Sequence, residues 1–357
     1  MEIISYLDDS GTLKKGAPSI PKDVLLKAYE IMLQTRMVDD RMVTLQRQGT
    51  ISFAMLSLGE EACAVGSAAA LELADWLYPQ YREAGIIFWR GFTIREYVDH
   101  MFCNCNDIIL GRQMPNHFGS RKLNVVTVSS PIGTKIPHAA GCAYAMKVQK
   151  EKSVAVCYFG EGASSEGDFH AGINFAAVRK APAIFFCRNN GYAISTPASA
   201  QFASDGIVPK AIGYGIEGVR VDGNDFFAVY DVVQKARQHC LDVGPVLIEA
   251  MTYRMGAHST SDDPSKYRTE EEVEKWRIKD PIARLGKYLE KKKLWSKAKD
   301  EELKKKIAHE IDQAIENSKG ACSPPIHSLF EHVYFELTPT LEREQDSVVH
   351  RSESCQK

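Results

Sequence analysis

Apolar positions recur with different periods in different parts of the chain. After Pro21-Lys22-Asp23, the residues Val24, Leu25, Ala28, Ile31, Met32 and Met37 follow mostly at three- or four-residue spacing. That spacing lines one side of an α-helix. Gly59-Glu60-Glu61 opens a second helix through Val65 to Leu71. In the middle, Val154–Phe159, Ala183–Cys187, Gly218–Val221 and Val246–Ala250 are short runs without polar alternation, as expected of strands buried on both faces. Helical patterns at Ser164–Val178 and Phe226–Cys240 lie between them. The alternation predicts an α/β fold, a parallel sheet with helices on both faces. Residues 104–135 read as loop, punctuated by Gly111, Pro115, Gly119, Pro131 and Gly133. From about residue 270, Glu270–Lys279 and Lys297–Lys319 are charge-rich helical patterns, with Trp276, Leu303, Ile307, Ile311 and Ile315 as their apolar stripe. They read as peripheral C-terminal helices of one domain spanning 21–338. Residues 1–20 read as an extended arm with turns at Ser10-Gly11 and Gly16-Ala17-Pro18, and polar 339–357 as a disordered tail.

Composition narrows the picture. The 357 residues are 44% hydrophobic and 25% charged, ordinary for a globular protein with a substantial core. A net charge of −2, without a basic stripe interleaved with aromatics, points away from nucleic acid and acidic membranes. No run of about 18 apolar residues exists, so no membrane span is expected. Met1-Glu2-Ile3-Ile4-Ser5-Tyr6-Leu7-Asp8-Asp9 lacks the basic and apolar stretches of a secretory signal and is too acidic for a transit peptide. Nine scattered cysteines, with Cys157 and Cys187 inside apolar strands, fit reduced thiols. Cys103 and Cys105 lack a second pair at zinc spacing and read as local packing.

The chemistry centres on Phe159-Gly160-Glu161-Gly162-Ala163, which follows a strand and precedes a helix. Ligands of open parallel sheets bind outside the carboxyl ends of strands, in such a turn. The glycines admit a bulky anion, and free N–H groups at the helix start attract phosphate. The next strand ends 26 residues later at Asn189-Asn190. Glu161 and Asn190 thus supply a carboxylate and an amide oxygen at neighbouring strand ends, a few hard ligands of the kind magnesium takes alongside phosphate and water. The spacing matches the thiamine-diphosphate signature. Gly213-Tyr214-Gly215-Ile216-Glu217-Gly218 has the spacing of a dinucleotide fingerprint. It precedes a strand instead of joining a strand to a helix, so it reads as a turn-rich loop.

From about residue 20 to 338 the chain closely resembles the alpha subunits of branched-chain 2-oxo acid dehydrogenases. The resemblance rests on Gln46-Arg47-Gln48-Gly49, Pro79-Gln80-Tyr81-Arg82-Glu83, Gly111-Arg112-Gln113-Met114-Pro115, Arg188-Asn189-Asn190-Gly191-Tyr192-Ala193-Ile194-Ser195 and His258-Ser259-Thr260-Ser261-Asp262-Asp263. The last of these, with Tyr267-Arg268, favours the branched-chain family over pyruvate dehydrogenase.

The resemblance implies magnesium held by Glu161, Asn190 and the carbonyl of Tyr192. It places Tyr81, Arg82, Ser130, Ile132, Gly162, Ala163, Arg188 and His258 around thiamine diphosphate. Arg82 and Arg188 would fork onto phosphate oxygens, and Ser130 would hydrogen-bond the cofactor. His258 would meet the diphosphate and the reacting groups; His258 and Ser130 are the catalytic candidates. The implied reaction is oxidative decarboxylation of a branched-chain 2-oxo acid in branched-chain amino acid catabolism, with the cofactor accepting the electrons left when carbon dioxide departs. The acyl group passes to a lipoyl group on a partner acyltransferase. A beta subunit would supply the glutamate that activates the cofactor's other ring, implying an alpha2–beta2 assembly. Ser259 matches a serine phosphorylated by a dedicated kinase in animal relatives; phosphate there would repel the cofactor diphosphate and disorder the loop. The expected location is the mitochondrial matrix, although this chain carries no transit peptide; without one it would be cytoplasmic.

Four departures stand out. Ser129 and Thr134 match ligands of a structural potassium ion in mammalian relatives, but the third position, glutamine in the family, is Lys135. An ammonium cannot ligate a cation, so Lys135 is expected to occupy the potassium position or repel ions from it. Ala257 replaces a histidine, and Asn116 and Phe118 alter the loop around His117. The Cys103–Asn106 stretch is unusual as well. Two other readings follow: a pyruvate or acetoin dehydrogenase alpha subunit, and a divergent non-catalytic paralogue that binds the beta subunit. A complete single-chain enzyme of the transketolase kind would need a second, pyrimidine-binding domain that this length does not provide.

Overall fold

The computed structural model describes residues 1–355, with side chains through residue 349. Five strands form its parallel sheet: β1 (Trp76–Tyr78), β2 (Ala155–Gly160), β3 (Ala183–Asn189), β4 (Glu217–Asp222) and β5 (Val246–Met251), in the spatial order β1-β2-β3-β5-β4. This is the expected α/β architecture. Alternate residues of the uniformly apolar strands enter two different cores. Val156, Tyr158, Ile184 and Phe186 face one core, which gathers the helices Lys22–Arg47, Glu61–Ala69 and Phe226–Asp242. Cys157, Phe159, Phe185 and Cys187 face the other, with the helices Lys135–Gln149 and Gly167–Arg179. Burial on both faces explains the missing polar alternation.

Register matters most at the carboxyl ends. Gly160 pairs with Arg188, and Asn189 pairs with Met251. The turn after β2 and the turn after β3 therefore open side by side. Beyond β2 the chain makes a 3-10 turn over Glu161–Ser165 before the helix begins at Gly167, later than the helical pattern from Ser164 suggested.

The arm at residues 1–20 is extended and tied down. Ile4 accepts a backbone bond from Asp222 (2.9 Å) and donates one to Arg220 (3.0 Å), pairing parallel with the outer strand β4. Buried Asp225 accepts the N–H of Leu7 at 2.6 Å and also caps the helix Phe226–Asp242. Arg284, on the helix Pro281–Lys291, donates to the Leu7 carbonyl. The helix Lys297–Lys319 buries Leu303, Ile307, Ile311 and Ile315, the stripe read from the sequence. Trp276 stacks on Tyr253 with ring centroids 5.4 Å apart.

Over the stretch read from the sequence as a polar tail, Pro339–Cys355 is helical. Thr338 starts it by accepting the Leu341 N–H on its hydroxyl (3.3 Å) and the Glu342 N–H on its carbonyl (3.0 Å). Pro339 suits the first helical position. Positions 356 and 357 lie outside the described residues.

Candidate functional site

A cleft of about 160 Å³ opens at the ends of β2 and β3. Tyr81, Arg82, Ile132, Glu161, Gly162, Ala163, Arg188, Asn190, Tyr192 and His258 all line it, residues drawn from five separate stretches of chain. Gln80, Ala193, Ile194 and Arg254 complete its walls together with Gly160. Ser130 is not among them. Its exposed hydroxyl bonds His117 Nε2 on the neighbouring loop and lies 3.8 Å from Met114 Sδ.

On the strand-end wall, Glu161 is 1% exposed. One carboxylate oxygen accepts the Asn190 N–H at 3.4 Å; the other has no partner. Burial raises its pKa, with nearby Glu60 adding to the effect. A buried carboxylate oxygen without a donor is costly unless a cation meets it. The Asn190 amide nitrogen donates to Glu60 at 2.9 Å, which turns the amide oxygen toward the Tyr192 N–H at 3.2 Å and leaves it a spare lone pair. Gly162 is required by space, since a β-carbon there would lie 2.8 Å from that of Ala193. Gln80 accepts the Gly160 N–H at 3.0 Å and pins the turn.

Arg188 plays a different part from the one expected. It is fully surrounded, with Nε on Glu83 and one terminal nitrogen on Glu60. Burial disfavours its charge, but the two carboxylates more than restore it and hold the guanidinium cationic. Its fork is thus committed to protein carboxylates, although the residue lines the cleft.

The opposite wall is a loop held by guanidinium groups on backbone carbonyls. Arg82 donates to Leu56 O at 2.7 Å and to His258 O at 2.6 Å. Arg254 donates to Ile194 O at 2.7 Å, and Arg268 to Gly256 O at 2.6 Å and Met255 O at 3.1 Å. Asp262 accepts the His258 N–H at 2.7 Å and the Tyr267 hydroxyl at 2.6 Å. His258 Nδ1 lies 3.0 Å from Arg82 Nη2, a permanent donor. Burial, then Arg82 and Arg254, push the imidazole pKa down to about 4, so the ring is neutral with its proton on Nε2. Ser259, half-buried, bonds Ser261 through their hydroxyls at 3.1 Å.

Ser129 and Thr134 do come together, at 3.1 Å, but they bond each other, and Thr134 also donates to Pro131 O at 3.1 Å. Burial lowers the Lys135 pKa, with Cys157 nearby opposing that effect. Among the described residues no cluster of three or more His, Cys, Asp or Glu side chains could hold a metal ion. Glu161, Asn190 and a main-chain carbonyl would not form such a cluster, because only one of the three is an acidic side chain.

Sequence reading missed Glu60, Glu83, Gln80, Arg254 and His117. Gln80 and Glu83 flank Tyr81-Arg82 and could have been drawn in by adjacency. Glu60 reads as an acidic residue favouring a helix start, and nothing local shows that it turns inward.

A family model described as "Dehydrogenase E1 component" matches residues 29–327. The chain belongs to that family. It is 47% identical over 350 residues to the 2-oxoisovalerate dehydrogenase subunit alpha of Dictyostelium discoideum, covering 97% of this chain and 79% of that protein. Against the Caenorhabditis elegans subunit of the same name it is 49% identical over 341 residues (94% and 78%). Against the human subunit it is 46% identical over 333 residues (93% and 75%). All three relatives are described as mitochondrial. Membership implies thiamine diphosphate as cofactor. Among the described residues no helix is long and apolar enough to cross a membrane.

Proposed function

We propose that this chain is the alpha subunit of the decarboxylating component of a branched-chain 2-oxo acid dehydrogenase. It would act with a beta subunit and a lipoyl-bearing acyltransferase in oxidative decarboxylation of branched-chain 2-oxo acids. The observation that carries the reading is the unpartnered, buried Glu161 carboxylate oxygen beside Asn190 and Tyr192, in a chain close to half identical to such subunits. That donor set fits Mg2+: one carboxylate, one amide oxygen and one main-chain carbonyl, with phosphate and water left to complete the shell.

When bound, thiamine diphosphate supplies the electron sink for decarboxylation. Glu161, Asn190 and the Tyr192 carbonyl would hold the magnesium. The backbone at Gly162 and Ala163, together with the uncommitted N–H groups of Arg82 and Arg188, would receive the diphosphate. His258 offers a neutral imidazole whose Nε2 is the free edge, because Nδ1 is engaged by Arg82. Lys135 takes over the potassium position in this reading, and the chain needs no structural potassium. Phosphate on Ser259 would bring two negative charges close to Asp262 and release the loop. The cleft is about half the roughly 300 Å³ at the lower end of complete ligand pockets, consistent with a beta subunit closing the other side.

The test is co-expression with a branched-chain beta subunit and measurement of carbon dioxide release from 3-methyl-2-oxobutanoate with thiamine diphosphate and magnesium. Turnover of this substrate above pyruvate is expected. A preference for pyruvate, or cofactor binding without turnover, would overturn the reading in favour of a pyruvate-type subunit or a non-catalytic paralogue respectively.

A further inference from the structure

Away from the cleft, three thiols gather where the loop after the helix Ile94–Phe102 passes the end of the helix Lys297–Lys319. Cys105 donates its backbone N–H to the Cys322 carbonyl at 2.9 Å. That bond lays the two residues' backbones side by side, the arrangement a disulfide needs with its α-carbons about 4.4–6.8 Å apart. The thiols are also close enough to feel each other, Cys105 pushing the Cys322 pKa up.

The surroundings hold the pair in place. Asp99 accepts the Ser318 hydroxyl and the Asn104 amide, each at 2.7 Å, so the two helices are joined within a few residues of both cysteines. Cys322 is exposed and Cys105 half-buried, so a small oxidant can reach them. Cys103 is turned elsewhere, its sulfur 3.6 Å from Gln113 O. Cys63, Cys157, Cys187 and Cys240 are sealed in the core, where burial suppresses the thiolate.

We propose that Cys105 and Cys322 form a reversible dithiol–disulfide pair, a redox modification site that exchanges with small-molecule disulfides such as oxidised glutathione. Cys322 loses its proton to water, and its thiolate attacks one sulfur of the small disulfide. That S–S bond breaks and one small thiolate leaves. The deprotonated Cys105 sulfur then attacks the Cys322 sulfur of the mixed disulfide and expels the second small thiolate. Two protein thiols are oxidised and one disulfide is reduced to two thiols.

The new bond would stiffen the support of the neighbouring loop. From Cys105 that loop runs through Asp107, which meets His100 at 3.3 Å. His100 Nε2 accepts the His117 N–H at 3.1 Å, and His117 bonds Ser130.

The full chain should be equilibrated with oxidised and reduced glutathione at graded ratios, alkylated, digested with trypsin and analysed by mass spectrometry. The expected product links Glu96–Arg112 to Gly320–Arg343 and disappears on adding dithiothreitol. Cys103→Ser should retain the link, and Cys105→Ser should lose it. Absence of the link in the unaltered chain at every ratio would overturn the proposal. So would its persistence in Cys105→Ser, which would assign it to Cys103.

Discussion

The two walls of the cleft are made by different means. The strand-end wall is set by sheet register and by charges in the core: Glu60 and Glu83 paired with Arg188, and Glu161 beside Asn190. The loop wall has no sheet beneath it. Its shape depends on Arg82, Arg254 and Arg268 reaching backbone carbonyls. The first wall exists because the domain is folded. The second is a conformation that each arginine helps to select, and so belongs to the less stable part of the molecule. The difference also sorts residues by role. Arg188 lines the cleft yet is paired within the fold, whereas Glu161 keeps a buried carboxylate oxygen without a partner.

The sharpest way to break this comparison is Arg188→Met. It leaves Glu60 and Glu83 buried without a partner and should destabilise the chain by about 3–5 kcal/mol, read from urea unfolding. A small loss would mean that Arg188 is held for the ligand instead. Glu161→Gln should do the opposite. Magnesium-dependent thiamine diphosphate affinity should fall on the order of 100-fold, while the ligand-free chain melts no lower than the unaltered one. A lower melting point would show that Glu161 is already satisfied by the protein. For the loop wall, Arg268→Ala removes charged hydrogen bonds worth about 1.5–3 kcal/mol each. Cleavage by a protease within 254–268 should then quicken by about a hundredfold or more at unchanged global stability.

A smaller effect comes from pH. The folded pKa of His258 is about 4, below the 6.5 of the unfolded side chain. The unfolded chain therefore takes up the proton first on acidification. The His258 contribution is intact above pH 6.5 and is lost as pH falls from there toward 4. His258→Gln should flatten that part of the stability–pH curve; an unchanged curve would refute a neutral buried ring. The smallest expected effect is none at all. Exchanging sodium for potassium should leave the melting temperature and cofactor affinity unchanged, because Ser129 and Thr134 satisfy each other. A clear rise with potassium would mean that the hydroxyls separate to admit it.

The strand-end wall was legible from sequence because its signals are local: glycines beside a carboxylate, at the end of an apolar run, and an asparagine pair at the end of the next. The helix Lys135–Gln149 was not, because Pro137 and Gly141 read as breakers although Pro137 falls in the first turn, where no N–H is needed. β1 has only three residues, too few for a period to show. Pro339–Cys355 lacks an apolar stripe long enough to separate a helix from a polar tail. Resemblance put Arg188 at the cleft that it lines, but could not show that Glu60 and Glu83 had already taken its fork. Charge pairs formed across more than a hundred residues leave no trace in local pattern.

The arm along β4 sets an order in time. Residues 1–9 are synthesised well before their anchors at Arg220, Asp222, Asp225 and Arg284. At about 5–20 residues per second, the arm waits for roughly ten seconds to a minute with Leu7, destined to be fully buried, still in water. The outer edge of β4 stays open until the arm arrives, and an open edge invites pairing with other chains. Synthesis of this protein thus has a vulnerable interval that closes only when residues 1–9 settle against anchors made more than two hundred residues later.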